Sequence, residues 1–396
     1  MPIVQISRIQ HRRGKRTDLP QLAAGELGWV IDEQRLFIGN GTVSDGAPAV
    51  GNTEIVTSGS SAFTTALTHI YKGYLGDATP ISTTVSRTLQ DRLDEYVSVK
   101  DFGAKGDNST ADVTAIQSAI DEIYTDTDKS DTRSRRILFF PAGTYRINAA
   151  LKIPPHAHLV GEGPNKTIIR NSGNNAVMVT QDNANNVGVG ITALVNQIQI
   201  SNITLKNTVA YGGVSLDSAS EVYFNQCRFE GSYAAGGADA STSKGVTVTS
   251  TNALQSSKIV FSQCQFTKFA RLVDISFDVT NVKFNNCDFN TAYYGALFGD
   301  EWDGSTTNGM AVGPRDIQFT NSSWDTINQQ AIWVKPAQSV EGTKCRNVIS
   351  NANWYGKNIA NNNEGIGSIR EVAVVQFNND ECTSILDFFE RSDLRR

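Results

Sequence analysis

The sequence predicts a mainly β protein whose body is a right-handed parallel β-helix, and three observations carry that reading. The first is an octet, clearest at Val282-Lys283-Phe284-Asn285-Asn286-Cys287-Asp288-Phe289, with apolar side chains at its first, third, sixth and eighth places. The second is its recurrence. The frame fits Ile198, Ile200, Ile203 and Leu205; Val222, Phe224, Cys227 and Phe229; Ile259, Phe261, Cys264 and Phe266; and Ile317, Phe319, Ser322 and Trp324, with a worn copy at Ile349, Ala352 and Trp354. The third is composition, since 10 prolines against 33 glycines suit short strands and frequent turns.

Within each octet the two halves alternate as short strands do, because successive side chains of a strand point to opposite faces. The Asn, Gln or Ser pair between them breaks the alternation by one residue, so a bend there sends both apolar sets to one interior. Eighth-place residues at 205, 229, 266, 289, 324 and 354 are separated by 24, 37, 23, 35 and 30 residues. Repeats of roughly 20 to 50 residues signal a solenoid, in which each unit buries its apolar face only against its neighbours. The intervals of 24 and 23 read as bare coils and the longer ones as coils carrying a surface loop.

In chain order, residues 1–50 form a small β module. Two apolar runs, Leu22 to Asp32 and Arg35 to Gly41, read as strands joined by a polar turn. Its Gly25-Glu26-Leu27-Gly28, Asp32 and Arg35-Leu36-Phe37-Ile38-Gly39-Asn40-Gly41 resemble the small N-terminal module of phage tail fibres and spikes. That resemblance implies attachment to another virion protein of the baseplate, tail or collar. Arg8, Arg12, Arg13, Lys15 and Arg16 concentrate positive charge with no acid before Asp18. One reading is a docking surface for an acidic virion protein, and the other a solvated edge. Nucleic-acid binding is disfavoured, because no aromatic residue is interleaved with these charges.

Residues 51–96 read as a Gly/Ser/Thr-rich linker followed by a short helical neck. Val85, Leu89, Leu93 and Tyr96 fall at the spacing of a narrow helical stripe. Three copies meeting on an axis would bury so narrow a seam, which predicts a homotrimer; a single helix packed on its own domain is the alternative.

The body, 97–396, opens with Val97 to Asp107 and then an amphipathic helix whose apolar face is Ile116, Ala119, Ile120 and Ile123. Gly103-Ala104-Lys105-Gly106-Asp107 lacks the Gly-Lys-Ser/Thr ending of a phosphate loop. Its glycines are expected to allow a tight turn beside a helix that caps the open end of the solenoid. With Ile137 to Ile147, which includes Phe140-Pro141-Ala142-Gly143-Thr144-Tyr145, and with Leu159 to Gly163, these strings resemble the pectate-lyase-like superfamily of phage tailspikes and glycan-active β-helix proteins over about residues 97–380. Past Trp354, Val372 to Phe377 and Ile385 to Phe389 suit a final strand or two and an apolar closing segment, where a second fibre protein would fit.

Cys227, Cys264 and Cys287 occupy one inward slot of successive repeats, as small apolar thiols do. An odd count of 5 cysteines and the absence of Cys-x-x-Cys argue against a disulfide framework and a zinc site, so neither metal nor cofactor is expected. Glycan cleavage needs two carboxyl groups in proximity. The densest acidic and aromatic cluster is Asp300, Glu301, Trp302 and Asp303, with Asp278 and Glu230 on neighbouring coils, and Trp302 would stack on a sugar ring. The bland reading is a turn-rich surface loop. All four histidines precede the repeats and no Gly-x-Ser-x-Gly occurs, so a nucleophilic triad is unsupported.

A net charge of -5 gives no whole-chain footprint for nucleic acid or membrane, and no apolar run approaches the roughly 20 residues of a membrane span. The sequence therefore predicts a structural virion appendage assembled in a host cytoplasm, which attaches to the tail or neck and contacts host-surface polysaccharide. The alternative is an active depolymerase that hydrolyses or lyses capsule or O-antigen.

Overall fold

A computed structural model describes residues 12–42, 50–55, 68–69, 87–93, 95–124, 136–181, 191, 193–250, 254–276, 278–298, 313–334, 346–351, 353–355, 375–377, 383–385 and 388–389. Contacts divide the chain into two units, Met1–Glu95 and Tyr96–Arg396.

The second unit is a parallel β-helix. Its strands form three parallel sheets of ten, ten and eight strands, and each complete coil gives one strand to each sheet. In the coil of the clearest octet these are Val279–Asn285, Asp288–Ala292 and Tyr294–Phe298. Phe284 is in register with Phe261 and Phe319, and Phe289 with Phe266 and Trp324. Each octet turns on a single left-handed residue: Asn202, Gln226, Gln263, Asn286 and Asn321 have φ of 60, 52, 55, 53 and 51°. Amide side chains tolerate that backbone better than most. One such residue reverses the alternation, so the sixth and eighth places point inward together.

A second left-handed column, Gln197, Glu221, Lys258, Asn281 and Asp316, interrupts the first-sheet strands. Pairing skips it: Asn196 faces Ser220, and the next pair is Ile198 with Val222. This is a bulge stacked coil on coil.

The core consists of ladders. Phe224, Phe261, Phe284 and Phe319 stack face to face at 5.0, 4.8 and 4.7 Å. Phe229, Phe266, Phe289 and Trp324 do the same at 4.6, 4.9 and 3.9 Å, and the two stacks meet edge-on. The coil spacing of about 4.8 Å is itself a favourable offset-stacking distance, so each ring satisfies both neighbours. Cys227, Cys264 and Cys287 are free and buried, and their sulfurs lie against Ile200, Phe224 and Phe261 carbonyls at 3.4, 3.6 and 3.5 Å. Burial pushes the Cys264 thiol well above its ordinary value, as suits a packing group.

The last repeat corrects the sequence reading. Val348 pairs with Ile317 and Ser350 with Phe319, while Ile349 pairs with Gln318 on the outer face. Tyr355, not Trp354, faces Trp324. The apolar frame is therefore slipped by one residue, which exchanges the two faces. The slip arises because the true inward places are polar: Ser350 and Asn353 are both buried. Asn353 satisfies itself by accepting from the Ser322 amide at 2.9 Å and donating to Phe319 O at 3.0 Å and Ser350 Oγ at 2.8 Å.

Helix α1, Val113–Tyr124, buries Ile116, Ala119, Ile120 and Ile123 against the core, as the sequence predicts. It packs on Leu138–Phe140, Gly143–Ile147 and Leu151–Ile153, strands near the N-terminal end of each sheet. Buried Asp112 holds the preceding turn, accepting from the amides of Lys105 at 2.7 Å and Gly106 at 3.1 Å. Gly106 has φ 65°, and a side chain at Gly143 would lie 2.7 Å from Gly106 O. The motif thus works as a cap and turn.

In the first unit, Arg12–Gly14, Leu27–Val30, Arg35–Gly39 and Asn52–Ile55 form a four-stranded sheet in that order. Leu22, Val30 and Phe37 make its core, with Leu19 packed beside them. The neck differs from expectation: the helix is only Leu89–Leu93, and Arg87–Thr88 is a strand paired with Thr68–His69. Val85 lies outside the described residues, and Tyr96 falls beyond the helix.

Three substitutions test the corner and the ladder. Asn286→Gly is expected to be near neutral and Asn286→Val to cost about 1–2 kcal/mol, because a β-branched residue resists left-handed backbone. Phe284→Ala is expected to cost about 3–5 kcal/mol. Denaturant unfolding of the three variants measures the differences.

Candidate functional site

Asp300, Glu301, Trp302 and Asp303 lie outside the described residues. Asp278 holds a turn, accepting from Gln255 Nε2 at 2.7 Å, while its carbonyl accepts from Ser250 Oγ at 2.9 Å. Glu230 sits on the outer face of the second sheet, in register with Lys206 and Thr267. Lys206 lies 2.9 Å, Arg228 3.3 Å and Lys268 3.9 Å from its carboxylate. Burial alone would raise the Glu230 carboxyl, but these three cations outweigh it and hold it below its ordinary value. A general acid requires the opposite shift. Glu230 ends a second-sheet strand and Asp278 lies in the turn before a first-sheet strand, and no hydrogen bond joins them.

The structure instead assembles a cluster that the octet frame does not cover. The loop 231–243 leaves Arg228–Glu230 and runs along the solenoid before Lys244–Thr249 begins. Tyr233 N donates to Lys268 O at 2.7 Å on the next coil, and Asn328 Nδ2, three coils on, donates to Tyr233 Oη at 2.8 Å. Three steps at about 4.8 Å make the loop a strap about 14 Å long. Gly231 permits it, because a side chain there would lie 2.2 Å from Lys268 O.

Beneath the strap lies an ion cluster. The Arg271 guanidinium grips Asp239 in a fork, Nε to Oδ1 at 3.1 Å and Nη2 to Oδ2 at 2.7 Å, and reaches Asp274 Oδ2 at 3.2 Å. Lys244 Nζ stands 3.4 Å from the same oxygen. Arg271 and Asp274 side chains are only 8% and 1% exposed, so these charges depend on one another rather than on water. Around them Tyr293 and Tyr294 meet edge-on at 4.8 Å, and Tyr294 lies 5.2 Å from Trp333. Burial first, then Tyr293 and Asp239, push the Tyr233 phenol up to about 12, and Tyr294 rises by the same causes. Both phenols keep their protons at neutral pH, and Tyr233 Oη donates its own to Gly237 O at 2.6 Å. Half-buried rings with polar tips over a charge-balanced base suit binding of a polyhydroxylated ligand more than proton transfer. Lys244, Arg271 and Asp274 within otherwise apolar third-sheet strands were the available sequence signal.

In the first unit, Arg12 pairs with Glu26 at 2.6 Å, and the Arg16 guanidinium lies 4.5 Å over the Phe37 ring. Arg13 and Lys15 are exposed, with no partner among the described residues. Arg8 lies outside them.

In-register parallel sheets wrapped round aromatic and thiol stacks define a protein of the parallel β-helix class. Within that class, the chain belongs to the Rhamnogalacturonase A/epimerase, pectate lyase-like family, whose model matches residues 96–323. Residues 9–43 match the Major tropism determinant N-terminal domain. A stretch of 83 residues is 37% identical to Alginate lyase 7 of Azotobacter vinelandii, covering 19% of this chain and 9% of that protein. Another of 79 residues is 37% identical to Mannuronan C5-epimerase AlgE2 of the same organism, covering 18% of this chain and 7% of that protein. In structure the chain is similar to ORF18 of Geobacillus virus E2, with TM-score 0.52 and 16% identity over 89% of this chain and 63% of that one. The chain therefore spans under a tenth of these curated relatives, and their likeness concerns a segment.

Two variants test the charge networks. Arg271→Met leaves Asp239 and Asp274 without their guanidinium and is expected to cost about 3–5 kcal/mol in urea unfolding. Glu230→Gln is expected to cost about 1 kcal/mol at pH 7. The folded carboxyl is depressed, so this contribution is present above its ordinary value of 4.5 and lost as pH falls below it. The two proteins should converge in stability at acid pH.

Proposed function

We propose that the chain is a subunit of a bacteriophage tail or collar appendage, anchored by its N-terminal module and extended by a β-helix shaft. The observation that carries this is the pairing of a tropism-determinant-type module, matched at residues 9–43, with a pectate-lyase-like body in one chain. The domains follow as an attachment module at 1–50, a linker and neck at 51–96 and a body at 97–396. Host-cytoplasmic assembly and incorporation into the virion belong to the same reading, as does a second fibre protein at the C-terminal end.

The working form is a homotrimer. Leu93 and Tyr96, two residues of the stripe expected from the sequence, are 54% and 71% exposed in a single chain. A shared axis would remove them from water. Contact with host-surface polysaccharide is the second reading, favoured by the Tyr233, Tyr293, Tyr294 and Trp333 cluster. Depolymerase activity would need its general acid elsewhere, because three cations hold the Glu230 carboxyl below its ordinary value.

Light scattering of the purified chain is expected to give three times its 43.0 kDa mass. Leu93→Glu with Tyr96→Glu should give monomers with the β-helix circular dichroism intact. A wild-type monomer at micromolar concentration would remove the trimer from the account.

A further inference from the structure

The strands of the N-terminal sheet are apolar on both faces, and among the described residues a core cluster packs on only one of them. Leu27-Gly28-Trp29-Val30-Ile31 and Leu36-Phe37-Ile38 run without the polar alternation of a half-solvated antiparallel sheet. A near-continuous apolar run is the pattern of a strand buried on both sides. On one face Val30 and Phe37 pack with Leu22 and Leu19, and the Leu19 and Leu22 side chains lie against Gly28. The opposite face carries one row across all four strands, Arg13, Trp29, Leu36 and Ile55, which are successive register partners. A second row is Leu27, Ile38 and Thr53. Trp29 is 37% exposed, and Leu27, Leu36, Ile38 and Ile55 are partly exposed.

We infer that this outer face, centred on Trp29 and Leu36, is the surface by which the module docks, and that its occupant is a virion protein presenting an apolar centre with an acidic rim. The inference rests on the attachment reading and names the surface and chemistry that would perform it. Charge selects the partner. Of the basic stretch, Arg12 and Arg16 are engaged within the module, by Glu26 and Phe37. Arg13 stands in the Trp29 row and Lys15 follows it, both exposed and without a partner among the described residues. A second copy of the same face would set one basic rim against another, which like-charge repulsion opposes. An acidic rim neutralises both cations while the apolar rows leave water, with tryptophan as the kind of anchor that dominates such contacts.

The test uses particles from a phage stock deleted for this chain's gene, incubated with purified full-length chain, and reads copies bound per particle. Trp29→Ser with Leu36→Ser is expected to reduce binding by about ten-fold or more. Arg13→Glu with Lys15→Glu is expected to reduce it by a comparable factor at low salt and by less at high salt. This second pair is exposed and reports even where the first disturbs folding. Thr17→Ala, outside both rows, should bind as wild type. Removal of residues 1–50 separates the two levels. If the truncated chain binds as well as wild type, the attachment reading fails. If truncation abolishes binding while both double variants bind normally, attachment stands and the outer face is not its surface.

Discussion

Each of the five octet coils turns on one Asn or Gln held at φ between 51° and 60°, and their core depends on that turn. Without it, the sixth and eighth places of an octet would both point outward, away from the face of the first and third, and the inner column would lose its thiol and its ring. With it, identical slots stack at the coil spacing, where aromatic rings meet face to face. The strain of a left-handed residue, about 1 kcal/mol for a tolerant side chain, is offset many times over by burying a phenylalanine. The corner also aligns the next coil, so one local conformation propagates along the axis.

That dependence explains what could be read from the chain. The octet fixes two of the three sheets because their strands join at a one-residue corner and share one interior. The third-sheet strands follow loops of variable length, so no fixed spacing announces them, and the Arg271 cluster they carry was invisible to the frame. The left-handed column through Lys258 and Asn281 likewise leaves the apolar pattern intact and gives no signal. At the last repeat, polar residues took the inward places, and apolarity pointed to the wrong parity. The cap was legible because an amphipathic helix has its own period. The neck was not, since Arg87–Thr88 pairs with the distant Thr68–His69 rather than continuing the helix.

The residue types that looked functional and those that proved structural also separate on physical grounds. Glu26, Asp112 and the glycines of the recurrent strings are consumed by amide bonds, ion pairs and close backbone approach. Glu230 is consumed by three cations. Among the described residues, apolar groups left facing solvent include Trp29, Ile31, Leu93, Tyr96 and Tyr223.

We propose that the module is the particle-proximal end of a three-chain shaft. Cryo-electron microscopy of the intact phage tests it most directly. The account predicts three β-helices about one axis, with the four-stranded sheets against a neighbouring virion protein. A single β-helix per appendage, or a module facing away from the particle, would contradict it.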